Sequence, residues 1–245
     1  MIGAEAVFRP VRRGNAFEET VERLLQAITL GVVSEGQRLP PERELASRLK
    51  VSRETLREAI RALQQAGWVT SRPGRHGGTF VARQPEGARP AGSVGAAEAQ
   101  PLPPLRDTLV LRAVLEPGAA ELAAAARLAP PARERLTDLL GECAAAEAGA
   151  YRQADSRLHL AIAEAAGSPS LLAAVADVRS RVNDLLDAIP ILPANLTHAD
   201  HQHAAVVAAI VAGDPGRARS AMAAHLEGTA ALLRGFLPDT VPEGP

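Results

Sequence analysis

The sequence predicts a mainly α-helical protein in two parts: a small domain of three helices followed by a β-hairpin, and a larger bundle built only of helices. Apolar residues recur at helical spacing over most of the 245 positions, and strand-like alternation is confined to residues 68–81. A Gly- and Pro-rich run at 84–104 separates the two parts. We therefore expect tails at 1–14 and 238–245, a first domain at 15–83, a linker at 84–104 and a second domain at 105–237.

The first domain should begin with a helix over residues 15–30, in which Asn15 and Glu18 form a capping-box-like start. A second helix should start at Pro41 and bury Leu45 and Leu49. After a short turn, Ser52 is a good N-cap for a third helix, because its hydroxyl can accept a hydrogen bond from an amide of the first turn. This helix should stop at Gly67, where glycine adopts a left-handed conformation at low cost.

The third helix carries Arg53, Arg57 and Arg61 at i, i+4 and i+8, so these arginines share one outward face. The strand-like segments 68–70 and 79–81 flank a cationic tip at 73–78. A helix can lie in the major groove of DNA while such a tip reaches the adjacent backbone or minor groove. The pattern favours a reader of double-stranded DNA, although Arg48 and Arg61 taken singly fit a merely solvated helix surface equally well.

The order of these elements resembles the winged helix-turn-helix of the GntR family of bacterial transcription regulators. The matching pieces are LPPERELA at 39–46, VSRETLREAI at 51–60, LQQAGWV at 63–69 and GRHGGTFVA at 74–82. The resemblance implies that the following residues contact DNA or assist: Arg43, Arg53, Thr55, Arg57, His76 and Gly77.

Charge is divided between the two parts of the chain. Residues 1–90 hold 15 basic and 10 acidic side chains, which leaves 12 basic and 18 acidic for the rest. A basic first part suits phosphate contacts, and an acidic second part suits a separate task. The single cysteine, Cys143, excludes an internal disulfide framework. Without a long apolar run or a signal-peptide pattern, we expect no membrane association and a cytoplasmic protein, held at the nucleoid through operator binding.

From residue 105 onward, helical periodicity is interrupted by Gly and Pro breaks, including Gly149, and this predicts about six helices in an all-α bundle. Asp155 and His159 lie on the apolar stripe of one helix, and His203 and His225 lie on the stripes of two others. Buried ionisable groups need partners, and a divalent cation satisfies all four together. A single inward histidine is more often a hydrogen-bonded core residue, so that interpretation stays open for each of them alone.

The run 105–237 resembles the FCD ligand-binding domain of the FadR subfamily within the GntR family. The matching pieces are LRAVLEPGAAELAA at 111–124, ADSRLHLAIAEAAGSP at 154–169 and HAAVVAAIVAGDPGRARSAMAAHL at 203–226. The resemblance implies a metal, zinc first with nickel or manganese as alternatives, and a small organic acid as effector. The implied ligands are Asp155, His159, His203 and His225.

Three further residues are candidates for effector contacts. Arg112 is one by the same resemblance, and a salt bridge with Glu116 at i+4 is the equally open alternative. Ser180 and Asn183 form a polar strip on the helix expected at 170–189, where they line the pocket or lie on the helix surface.

Together these features predict a ligand-responsive, sequence-specific repressor that binds a palindromic operator as a homodimer and is not an enzyme. The alternative is a metal-dependent enzyme with an attached DNA-binding module, since an open metal site can activate water. Against it, the inner faces offer no spare general base, because Glu164 lies off the Asp155–His159 stripe. A DNA-binding architectural protein that senses nothing would not need the metal cluster.

Overall fold

The computed structural model describes residues 8–11, 14–74, 77–82 and 102–237, and its elements confirm the predicted fold class. Along the described part of the chain, three helices and a hairpin come first, and six helices follow. None of the helices in the described ranges is long and apolar enough to cross a membrane. The elements are α1 (Ala16–Thr29), α2 (Glu42–Leu49), α3 (Arg53–Gln65), β1 (Val69–Arg72), β2 (Gly78–Val81), α4 (Leu105–Ala125), α5 (Pro130–Ala145), α6 (Ala148–Ala165), α7 (Pro169–Asp187), α8 (Pro193–Val211) and α9 (Pro215–Phe236).

The chain divides into two compact units. Within the described ranges, the first holds residues up to 82 together with 188–195 and 228–237, and the second holds 102–187 and 196–227. Most of the predicted linker, both predicted tails in large part, and the predicted boundary at 83 lie outside the described residues.

The helix-turn-helix of the first unit consists of α2, a turn at Lys50–Ser52 and α3. Lys50 turns the chain in a left-handed conformation, with φ of 55°. Ser52 is the N-cap of α3, and its Oγ accepts a hydrogen bond from the backbone N–H of Thr55 at 3.0 Å, as predicted. Gly67 follows α3 with φ of +79°, which confirms the predicted stop.

The hairpin after α3 is antiparallel, with Val69 opposite Val81 and Arg72 opposite Gly78. Side chains also meet across it, because the Arg72 guanidinium lies over the Phe80 ring, 4.6 Å from its centroid. This contact packs the Arg72 side chain of β1 against the Phe80 ring of β2.

Three local predictions were wrong in detail. Asn15 occupies the N-cap position of α1, but its side chain makes no capping hydrogen bond. Gly149 does not break the chain; it lies within α6, and the interruption falls at 146–147, where both residues are extended. Pro41 is the N-cap of α2 rather than its first residue. In each case a Gly, Pro or Asn marks a helix end correctly to within a few residues.

The second unit is an all-helical bundle with an aliphatic core. Its main cluster is rich in alanine, which lets helices approach closely, and larger side chains such as Leu136, Leu158 and Met222 fill the remaining space. Asp155 and His159 project from α6, His203 from α8 and His225 from α9 into the interior of this unit. The aliphatic surroundings exclude water and so raise the cost of leaving these polar groups without partners.

Candidate metal centre and DNA-binding face

Four side chains converge inside the second unit: Asp155, His159, His203 and His225. None of the four residues is more than 8% exposed, and one ligand atom from each lies within 4.8 Å of the others. The Nε2 atom of His203 lies 3.3 Å from Nε2 of His159, 3.1 Å from Nε2 of His225 and 3.1 Å from Oδ1 of Asp155. Asp155 Oδ1 is 3.5 Å from His159 Nε2.

These separations fit a bound cation. A metal–nitrogen bond of about 2.0–2.1 Å places neighbouring ligand atoms of a tetrahedral site about 3.3 Å apart. The four separations given above, 3.1 to 3.5 Å, lie around that value, and the other pairs of ligand atoms lie within 4.8 Å. His203 Nε2 lies between the Nε2 atoms of the other two histidines, and one proton on it can satisfy only one of these two neighbours. A divalent cation at the centre would use all three lone pairs and the carboxylate.

The outer nitrogen of each imidazole faces a second residue. His159 Nδ1 contacts Glu116 Oε2, and His225 Nδ1 lies 3.1 Å from Gln202 Oε1. His203 Nδ1 lies 3.9 Å from the Sγ of Cys143. Such partners orient metal-binding histidines and, when anionic, increase their basicity. The donor set therefore matches a metal centre in its outer contacts as well as in its ligands.

The charge states of Asp155 and His225 suit a cation. Burial by itself would raise the pKa of Asp155, but the Arg179 guanidinium and the neighbouring His159 hold it well below its ordinary value. Burial lowers the pKa of His225 well below the usual range, and the neighbouring histidines add to this effect. For His159, burial is outweighed by the Glu116 carboxylate, which raises the pKa. An ionised aspartate and a neutral His225 are the forms that bind metal, and His159 would release its proton when a metal binds.

A second group of potential ligands, Cys143, Asp200 and His203, also lies within 4.8 Å. Burial raises the pKa of the Cys143 thiol to about 12, so that this sulfur is protonated at neutral pH. Asp200 accepts a hydrogen bond from the hydroxyl of Tyr151 at 2.9 Å. Cys143 is thus neutral beside His203, Asp200 is hydrogen-bonded to Tyr151, and the four-residue cluster is the better candidate for the metal.

The predicted effector residues have different surroundings. Arg112 is buried, and its Nε donates to Glu116 Oε1 at 2.7 Å, which is the alternative that the sequence left open. Asn183 is half-buried on α7 and donates from Nδ2 to the Oγ of Ser156 at 3.1 Å. Ser180, on the same helix, is exposed.

The predicted DNA contacts lie in the first unit. Arg43, Arg53 and Arg57 are exposed, and Thr55 is half-buried with its hydroxyl 2.8 Å from that of Ser52. Arg57 is not free in this structure, because its Nε donates to Glu42 Oε2 at 2.7 Å.

The tip of the hairpin is sterically tight at Gly77. A Cβ at this position would lie 2.3 Å from the carbonyl oxygen of Arg72, a distance that side chains do not tolerate. The backbone N–H of Gly77 donates to the carbonyl of Gly74 at 2.8 Å and closes the turn. The neighbouring His76 lies outside the described residues.

Comparison with known proteins agrees with both halves of this description. Residues 17–81 match the family described as bacterial regulatory proteins, gntR family, and residues 107–228 match the FCD domain. A protein of Escherichia coli K12 named "Putative L-lactate dehydrogenase operon regulatory protein" is 32% identical over 231 residues, which cover 89% of this chain and 86% of that protein. The chain belongs to the GntR family.

Other relatives of this GntR-family protein extend the comparison. The transcriptional regulator LutR of Bacillus subtilis is 28% identical over 86% of this chain and 98% of its own length. Among solved structures, Streptococcus agalactiae GntR is 27% identical, covers 87% of this chain and 98% of its own, and has a TM-score of 0.45. The two family matches and the two sequence relatives make the GntR-family protein a transcription regulator with a DNA-binding domain and a ligand-binding FCD domain, and not an enzyme.

Two residues of this regulator escaped the sequence analysis. Arg179 is buried on α7 and donates from Nη2 to Asp155 Oδ2, yet it was not singled out. A signal was available, because Arg179 lies on the apolar stripe with Val175 and Val182. Glu42, the partner of Arg57, had no such signal, since a glutamate in the first turn of a helix is common.

Proposed function

We propose that this protein is a metal-dependent repressor that releases its operator when a small carboxylic acid binds in the FCD domain. The observation that carries the proposal is the convergence of Asp155 and three imidazole Nε2 atoms inside the second unit. A regulator that sensed nothing would have no use for such a costly cluster. The alternative of a metal enzyme has no support among the regulators that the chain resembles.

The proposed ligands are Asp155, His159, His203 and His225, with zinc as the first choice and nickel or manganese as alternatives. Zinc, when bound, supplies a positive charge and a coordination position that a carboxylate oxygen can take. Glu116 and Gln202 would orient two of the imidazoles through Nδ1. Asp155 would be held in its ionised form by Arg179.

The proposed effector is a small organic acid. The name of the Escherichia coli relative refers to an L-lactate dehydrogenase operon, so L-lactate is the first acid to test. Arg112 and Asn183 remain candidate contacts, because each has a buried polar atom without a hydrogen-bond partner among the described residues. Ser180 is the weakest candidate of the three, since its side chain is exposed.

On the DNA side, we propose that two copies of the chain present their winged helices to a palindromic operator. The arginines of α2 and α3 would contact the duplex together with the hairpin tip, and the acid and the operator would weaken each other's binding, because coupling between two sites is reciprocal. The proposed contacts are Arg43, Arg53, Thr55, Arg57, His76 and Gly77.

Metal analysis and operator binding test the proposal together. Purified protein should contain about one zinc per chain, and His203→Ala should lose it, whereas His201→Ala on the exposed face of α8 should keep it. Operator affinity of the zinc-loaded protein should fall when L-lactate or another small acid is added. A metal-free native protein, or an affinity that no acid changes, would refute the sensor.

Variants of the DNA-binding face test the proposed DNA contacts separately from the metal site. Arg57→Ala should abolish specific operator binding without changing the metal content. Arg135→Ala is the matched control, because Arg135 is also exposed and ion-paired at 2.7 Å, with Glu164, but lies in the other unit. Equal loss of operator binding in both variants would mean that only overall charge matters.

A further inference from the structure

In the described part of the second unit, two arginines are enclosed, and part of each guanidinium has no partner there. Arg112 on α4 and Arg179 on α7 are each 2% exposed. Arg112 donates from Nε to Glu116, and Arg179 donates from Nη2 to Asp155 and to the Oγ of Ser156. Among the described residues, Nη1 of Arg112 and both Nε and Nη1 of Arg179 are buried without a hydrogen-bond partner.

The same two helices carry two more buried polar atoms that lack a hydrogen-bond partner among the described residues. Thr108 lies one turn before Arg112 on α4, and Asn183 lies one turn after Arg179 on α7. Thr108 Oγ1 and Asn183 Oδ1 are also buried without a partner among the described residues. The two helices pack against each other, and on each of them the two residues stand at i and i+4 on one face. Unpartnered buried polar atoms are rare in native proteins, and several together indicate a ligand.

Electrostatics indicates the charge of that ligand. Burial lowers the pKa of Arg112. The Glu116 carboxylate raises it in part, and the positive charge of the neighbouring Arg179 lowers it again. The two guanidinium groups are balanced by the ionised Glu116 and Asp155, so a divalent cation would leave the buried cluster with a positive charge. The half-buried Asp200 offsets at most part of it. A positive, dehydrated cluster with free N–H donors binds an anion.

We propose that Arg179, together with Arg112, binds a carboxylate group of the effector between α4 and α7, beside the metal ligand Asp155. The inference rests on the proposed function and adds the residue that recognises the carboxylate. A guanidinium suits this role, because its planar fork donates two parallel hydrogen bonds to a carboxylate. Arg179 would keep Asp155 on one edge and receive the acid on the other, so that acid binding is communicated to a metal ligand.

Calorimetric titration of the zinc-loaded full chain tests this role. The probes are three acids, each with its amide: acetate and acetamide, L-lactate and L-lactamide, malonate and malonamide. In Arg179→Lys the charge beside Asp155 remains, but the fork is lost. The affinity for any acid that binds the wild-type protein should therefore fall roughly 10- to 100-fold, with zinc content unchanged.

Arg181→Lys is the matched control. Arg181 lies on the same helix but is exposed, and its Nη1 forms a surface ion pair with Asp107 Oδ2 at 3.5 Å. Its acid affinity should stay within about twofold of wild type, because surface ion pairs contribute little. Equal affinities in Arg179→Lys and wild type would overturn the inference while leaving the sensor function intact. If none of the three acids binds the zinc-loaded wild-type protein, the proposed function fails and this inference fails with it.

Two measurements keep the inference testable if Arg179→Lys does not fold or loses zinc. The first is the wild-type comparison, in which each amide should bind at least tenfold more weakly than its acid. An amide that binds as tightly as its acid would overturn the inference. The second is Arg112→Lys, which removes Nη1 without touching Asp155, and it should weaken the same acid; an unchanged affinity contradicts the proposed pair.

Discussion

Glu116→Gln should destabilise the protein far more than a surface substitution of the same kind. Glu116 and Arg112 are both 2% exposed, and the distance from Arg112 Nε to Glu116 Oε1 is 2.7 Å. Glutamine keeps the volume but removes the charge, and leaves the buried Arg112 and His159 without their anion. Removing one member of a buried ion pair costs about 3–5 kcal/mol.

The second unit contains a matched control in Glu121→Gln. Glu121 lies on the same helix and accepts from Arg219 Nη1 at the same distance of 2.7 Å, but the two side chains are 43% and 53% exposed. An exposed pair contributes only about 0.2–1 kcal/mol, because water screens both charges. Because the N–O distance is the same in both pairs, the difference in stability loss between the two variants measures the effect of burial.

Urea unfolding of the metal-free protein, followed by circular dichroism, measures the free energy of unfolding of each variant. In a separate thermal melt, the melting temperature of Glu116→Gln should fall by roughly 6–20 °C, at about 2–4 °C per kcal/mol for a chain of this size. Zinc competition with a chromophoric chelator should show about 10- to 100-fold weaker binding, because Glu116 orients His159. Equal losses of stability in the two variants would refute the argument from burial.

Two further predictions concern the DNA-binding unit. Gly77→Ala should shift the hairpin tip and weaken operator binding in a mobility-shift assay, because the new Cβ would meet the Arg72 carbonyl oxygen at 2.3 Å. Gly118→Ala, which meets nothing within 4 Å inside α4, should leave operator binding unchanged and stabilise the chain by up to about 1 kcal/mol; similar effects of both changes would contradict the steric argument. Ser52→Ala should cost about 1 kcal/mol in thermal unfolding, since the Thr55 N–H loses its cap, and an unchanged melt would show that water replaces it fully.

Local pattern was sufficient for most of the fold. Ser52 and Gly67 mark the ends of α3 by chemistry that acts within a few residues, and both were predicted correctly. Asn15 shows the limit of such reasoning, because the presence of a capping residue does not guarantee the hydrogen bond. Helical periodicity placed Asp155, His159, His203 and His225 on inward faces, and the structure brings these four together.

The outer contacts of the site could not be predicted in the same way. Glu116 meets His159 across 43 positions of sequence, and Arg179 meets Asp155 across 24. Such pairs depend on how helices are rotated and packed against one another, which spacing within one helix does not specify. Arg57 illustrates the same point in the first unit, since periodicity shows an exposed arginine but not its pairing with Glu42, 15 positions away.

The sequence by itself determined the helices, the hairpin, the arginine face of α3 and the four inward ionisable residues proposed as ligands, because each depends on the 3.6-residue period or on a side chain acting on its own backbone. Only the tertiary structure decided which atoms meet: the three Nε2 atoms that lie close together, the residues beside the Nδ1 atoms of His159 and His225, and the edges of Arg112 and Arg179 that have no partner in the part of the chain that the structure describes. The physical reason is that burial and pairing are properties of several packed helices, whereas periodicity is a property of one.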